Sequence, residues 1–257
     1  MGRINGFFTE FWCCEGEVKN EICITIALKG GVVKSLYQNK NTEEVVEINP
    51  AAGSVFMHVL EHRSKIQHIT GLKCKVGKNG IYFSVTAEKE KIEENLENVI
   101  RLIFEQQVTE EEVVEAKQQT IDKLKQNFKN EMTRNWYYML EFTEMGKKYV
   151  YNKWARALET IQYDEFNKYT EVLVNPENSI VIVNGMLEET EITSICAVLK
   201  CIQKKGIEYL DYGYAFGENK ILDWHLVKNM SCSSLGALYF VFPDENVTPT
   251  EKMFLLL

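Results

Sequence analysis

Histidine is scarce in this chain: four among 257 residues, at positions 58, 62, 68 and 225. Long apolar runs are missing as well. No stretch approaches the ~20 residues that a membrane-spanning helix needs, so no membrane span is expected. The opening Met1-Gly2-Arg3-Ile4-Asn5 does not begin a secretion signal. Gly6 stands where N-myristoylation needs Ser or Thr, so that modification is unsupported. A paired cysteine framework is absent too. The seven cysteines (Cys13, Cys14, Cys23, Cys74, Cys196, Cys201 and Cys232) are an odd number. They fit free thiols in a reducing compartment, and a cytoplasmic location is expected. Adjacent Cys13 and Cys14 read as unremarkable thiols rather than a redox or metal pair. Basic charge is also in deficit. Lys and Arg number 29 against 37 Asp and Glu, a net charge of -8. Phosphate binding wants clustered Lys and Arg, so nucleic acid is excluded as the main partner.

What is present is a 45% hydrophobic composition, enough for a packed core. There is also one informative cluster. His58-Val59-Leu60-Glu61-His62 reads H-x-x-E-H, the inverted form of a zinc-protease motif. On a helix, residues three and four apart share a face. His58 and His62 therefore point two imidazoles at one spot, with Glu61 beside them as a proton acceptor. Zinc takes neutral imidazoles and a third protein ligand, with one position left for water. The bland alternative is a helix with two ordinary histidines and a solvated Glu.

The surrounding pattern alternates strands and helices. Ile22 to Leu28 reads as a strand closed by Gly30-Gly31, and Val32 to Tyr37 as a second. Pro50-Ala51-Ala52-Gly53 introduces the motif helix, Ser54 to Ile66. Leu72 to Val76 and Ile81 to Thr86 form a hairpin about Lys78-Asn79-Gly80. Ile92, Leu96, Val99, Ile100 and Ile103 mark an amphipathic helix. Thr109 and Glu112 form a capping box for the next. The aromatic stretch Trp136 to Tyr169 reads as packed helices. Asn175 to Asn178 is a turn, Ser179 to Val183 a buried strand, and Ile192, Ile195, Leu199 and Ile202 the face of a further helix. Together these predict an α+β fold with long helices on one face of a mainly antiparallel sheet. Beyond Gly206 the pattern restarts. Leu235 to Phe242 reads as a strand and Thr248 to Leu257 as the beginning of an apolar helix.

With His58-x-x-Glu61-His62, this layout resembles the pitrilysin/insulinase family of zinc metallopeptidases. The stretch from Gly53 to His58 is similar to the glycine-led approach to the family's active-site helix, though the glycine stands further from the histidine than usual. Val108 to Glu112 with Glu115-Ala116-Lys117, Glu159 to Phe166, and Tyr169 through Asn175-Pro176-Glu177-Asn178 to Gly185 resemble other family segments. The similarity runs over roughly residues 20–205. It implies one catalytic repeat over 1–205 and the incomplete start of a second over 206–257. It also implies hydrolysis of short peptides, with zinc held by His58 and His62 and Glu61 as general base on a zinc-bound water. The family's third ligand is a Glu on a later helix, with another Glu two turns before it. Asp122 and Glu115, seven residues apart, are the candidates. Asp122 takes the ligand position if roughly fifteen residues, about one helix and its loop, are missing after His62. Glu115 is the fallback. The family closes two domains around its peptide, so a homologous subunit or second copy is the implied partner. The alternative is a non-catalytic, peptidase-like subunit that binds peptide or pairs with an active partner.

Overall fold

Along Glu21–Lys29 (β3), Ile22, Ile24, Ile26 and Leu28 are buried, while the residues between them are half-buried or exposed. That alternation is the signature of a strand with one face against a core. β3 lies inside a six-stranded sheet in a computed structural model of the protein, which describes residues 2–13, 20–32, 35–77, 79–105, 107–130 and 150–213. The other strands are Gly2–Ile4 (β1), Phe7–Cys13 (β2), Leu72–Val76 (β6), Gly80–Glu88 (β7) and Ser179–Gly185 (β8). Their order is β1-β2-β8-β3-β7-β6. All neighbours run antiparallel except β2 and β8, which pair in parallel from Phe8 with Ile180 to Cys13 with Gly185. A three-stranded antiparallel sheet joins Val45–Glu47 (β5), Leu36–Asn39 (β4) and Tyr209–Gly213 (β9). The fold is α+β and mainly antiparallel, as expected.

The motif helix, α1 (Ala52–Ile66), is buried on every side from Ala52 to Leu60. Sequence periodicity predicts burial of one side only. Full burial follows because α1 lies between the sheet and other helices. The Phe56 ring meets Phe83 of β7 at 6.3 Å. It also meets Phe166 and Tyr169 of α5 (Tyr163–Leu173) at 6.1 and 5.7 Å. In the turn before the helix, the Asn49 side-chain oxygen accepts from the Ala51 amide at 2.9 Å. α2 (Ile92–Phe104) buries the five residues its spacing predicts, and Leu102 as well. α3 (Glu110–Lys129) begins with the expected capping box. The Thr109 amide donates to Glu112 at 2.9 Å, and the Glu112 amide donates to Thr109 at 3.4 Å. α4 (Val150–Thr160) precedes α5, and α6 (Glu189–Lys200) ends before Ile202.

The N-terminal strands β1 and β2 are not read from the sequence pattern, and β4 begins at Leu36 rather than Val32. β9 returns residues 209–213 to β4. The chain divides into a unit of Met1–Leu124 with Trp154–Phe216, and another of Lys125–Lys153 with Gly217–Leu257. Only residues 125–130 and 150–153 of the second are described. The segment from Trp136 to Tyr149, Cys14, Cys232, His225 and the elements expected after 213 lie outside the described residues. No helix among the described residues is long and apolar enough to cross a membrane. Cys23, Cys74, Cys196 and Cys201 are free thiols.

Candidate functional site

α3 has a narrow buried stripe: Val113, Ala116 and Thr120, at i, i+3 and i+7. His58, Val59 and His62 of α1 line a shallow cleft, without room for a water molecule as it stands, with Glu112, Glu115, Ala116 and Gln119 of α3. The two histidines and Glu115, singled out from sequence, thus border one cleft. Asp122 does not. It is exposed and accepts from the Gln118 side chain at 3.0 Å. Seven residues bring Asp122 back to nearly the same helix face as Glu115, but two turns, about 10 Å, further along the axis. The cleft ends before it. His68 lies past the end of α1, exposed, with φ +54°.

His58 is 6% exposed, and its Nδ1 is doubly engaged. The Ser54 carbonyl oxygen lies 2.9 Å away and Thr120 Oγ1 3.0 Å away. That leaves Nε2 as the ring nitrogen open to a ligand. Burial pushes the His58 pKa down, outweighing the Ser54 hydrogen bond and the nearby Glu61 charge. A lowered pKa favours the neutral ring, the form that metal ligation needs. Glu61 and His62 are half-buried. The Glu61 charge also acts on Cys74 of β6, whose thiol is pushed up to about 12, chiefly by burial.

Next to His62, Arg63 forms a clamp between the helices. Its guanidinium donates through two nitrogens to both oxygens of Glu112, each at 2.6 Å. It donates also to the Gln107 carbonyl at 2.7 Å. This holds the Glu112 carboxyl below the usual range. Arg63, Thr120, Gln119 and Cys74 were not picked out from sequence. A buried Thr on a three-residue apolar stripe is the one signal that points to any of them.

Two imidazoles and a carboxylate fit zinc in kind. In placement they fall short. Among the described residues, no group of three His, Cys, Asp or Glu side chains converges to hold a metal ion. The Glu115 carboxylate is engaged instead by the Gln119 side-chain amide at 3.2 Å.

No protein-family model matches the sequence, and no curated protein matches it. Solved structures do. An M16-like peptidase from Alicyclobacillus acidocaldarius superposes with a TM-score of 0.64 at 12% identity, over 82% of this chain and 51% of that one. The periplasmic protease PqqL from Escherichia coli gives 0.59 at 12% identity, over 87% and 25%. A peptidase M16 inactive domain from Pseudomonas fluorescens gives 0.59 at 11%, over 86% and 52%. These likenesses establish an M16-like peptidase fold. The chain spans about half the length of the first and a quarter of PqqL.

Proposed function

We propose that the chain is a peptidase subunit that hydrolyses short peptides together with a homologous partner unit, and that His58, His62 and Glu115 hold its zinc. The observation that carries this reading is His58. Its Nδ1 is occupied, its Nε2 is open, and it borders one cleft with His62 and Glu115. Zinc held by these residues would supply Lewis-acid polarisation of the scissile carbonyl. Glu61, which adjoins His62 but does not itself line the cleft, would accept the proton of the attacking water and return it to the leaving amine. Glu115 replaces Asp122 as third ligand because it alone of the two borders the cleft. That the similar solved peptidase chains are about twice as long as this one or longer fits a second, homologous unit.

Metal analysis of the purified chain tests this. The expected result is about one zinc per chain, lost in His58→Ala and in Glu115→Ala but kept in Asp122→Ala. Glu61→Gln should keep zinc and abolish peptide cleavage measured with the partner present. A wild-type chain that takes up no zinc sinks the proposal.

One observation favours a second reading, a non-catalytic subunit that binds peptide or pairs with an active partner. The donors near the cleft do not form a set of three, and Glu115 is tied to Gln119. A Pseudomonas fluorescens domain described as inactive shares the fold. Peptide binding without zinc uptake would support this second reading.

A further inference from the structure

Thr120 is 4% exposed, a polar residue on the otherwise apolar stripe of α3. Its surroundings fix the direction of each hydrogen bond. The Ala116 carbonyl, 2.7 Å from Thr120 Oγ1, can only accept, so the Thr120 hydroxyl proton goes there. The Ser54 carbonyl, 2.9 Å from His58 Nδ1, can likewise only accept, so Nδ1 carries a proton. Thr120 Oγ1 then faces that N–H with a lone pair, at 3.0 Å. Ser54 and Thr120 share the proton of Nδ1. The two acceptors are not equivalent. In a regular helix the Ser54 carbonyl also receives the backbone N–H four residues on, that of His58 itself. Thr120 adds an acceptor from a different helix, 62 residues away in the chain.

We infer that Thr120 is a positioning residue: with the Ser54 carbonyl it holds His58 as the Nδ1–H tautomer and presents the Nε2 lone pair to the cleft. The bond also joins α3 to α1, so the ring that faces the cleft is oriented by the helix that carries Glu115. Which ring nitrogen of a histidine is available to a ligand is set by the hydrogen bond the other nitrogen makes. The consequence for metal affinity rests on the zinc reading above. The tautomer does not.

Two-bond proton–nitrogen spectra of metal-free protein with 15N-labelled histidine test the inference, with His58 assigned by its absence in His58→Gln. At pH 7.5, wild-type His58 should show a protonated Nδ1 and a bare Nε2. Thr120→Val removes the lone pair with little change of shape. It should yield a mixture containing the Nε2–H form and weaken zinc binding about tenfold. Thr120→Ser keeps the hydroxyl and should restore both. A wild-type His58 in the Nε2–H form overturns the inference, and so does a folded Thr120→Val protein with unchanged tautomer and zinc affinity. If Thr120→Val fails to fold, Thr120→Ala takes its place, with the same shift of tautomer expected and an unchanged tautomer overturning the inference. A wild-type tautomer as stated, in a protein that binds no zinc, upholds the inference and removes only the metal reading.

Discussion

Arg63 is charged and only 9% exposed, so its worth lies in its partners. With Glu112 and the Gln107 carbonyl it has hydrogen bonds along both edges of its fork. Arg63→Ala should lower stability by about 2–3 kcal/mol, read by urea denaturation, because Glu112 loses a charge-assisted partner. The pair also predicts a pH dependence. The folded pKa of Glu112 is depressed, chiefly by the hydrogen bonds from Arg63. Its stabilisation is therefore complete above the unfolded carboxylate value, about 4.3, and is lost as pH falls through the lower folded value. Arg63→Ala should show a shallower loss of stability on acidification below about pH 4.3 than the wild type. Tyr169 is the opposite case. Its hydroxyl is fully buried and, among the described residues, has no hydrogen-bond partner. Tyr169→Phe keeps the ring contacts with Phe56 and Phe166 and removes a desolvated oxygen. It should raise stability by about 1 kcal/mol, seen as a higher melting temperature.

The motif helix depends on how closely α1 approaches the turn after β3. A Cβ added at Gly53 would lie 2.2 Å from the Gly30 carbonyl oxygen and 3.1 Å from Ile81 Cδ1. The first of these is a backbone atom and cannot turn aside. Gly53→Ala should therefore cost about 3 kcal/mol, at the upper end of overpacking effects, although Ala is the better helix former. Circular-dichroism melts would measure it, and a neutral result would mean that α1 can shift along the sheet. Much at this scale is legible in the residues themselves. Thr109 and Glu112 announce the start of α3, and the spacing of Ile92, Leu96, Val99, Ile100 and Ile103 announces the face of α2. The rotation of α3 against α1 is not legible in this way. Its weak apolar pattern, three buried residues in twenty, does not decide which carboxylates face the histidines. Two polar links decide it, Arg63 to Glu112 and His58 to Thr120.

For the whole molecule, the instructive segment follows α6. Residues 206–213 are joined to distant parts of the first unit. Glu208 accepts from Arg3 and pairs with Lys40, each at 3.0 Å. The Tyr209 amide donates to Asn178 at 2.8 Å, and the Lys29 ammonium donates to the Tyr209 carbonyl. β9 then pairs with β4. A chain cut after Lys205 should melt lower than one cut after Phe216, by about 3 kcal/mol in stability, because it loses a strand and these bonds. Equal melting of the two would show that β9 contributes nothing to the first unit.

By itself the sequence determined the local elements and the H-x-x-E-H geometry, because periodicity, caps and turn residues act over a few positions. It also pointed to the α+β class and to a peptidase-like layout. Tertiary structure alone decided the parallel pairing of β2 with β8, the return of β9 to β4, and full burial of α1. It alone set Glu115 beside the histidines, Asp122 beyond them, and Thr120 against His58. Those outcomes depend on contacts between residues far apart in the chain. Their partners are chosen by shape and by the need to satisfy buried polar groups, and no local pattern encodes that choice.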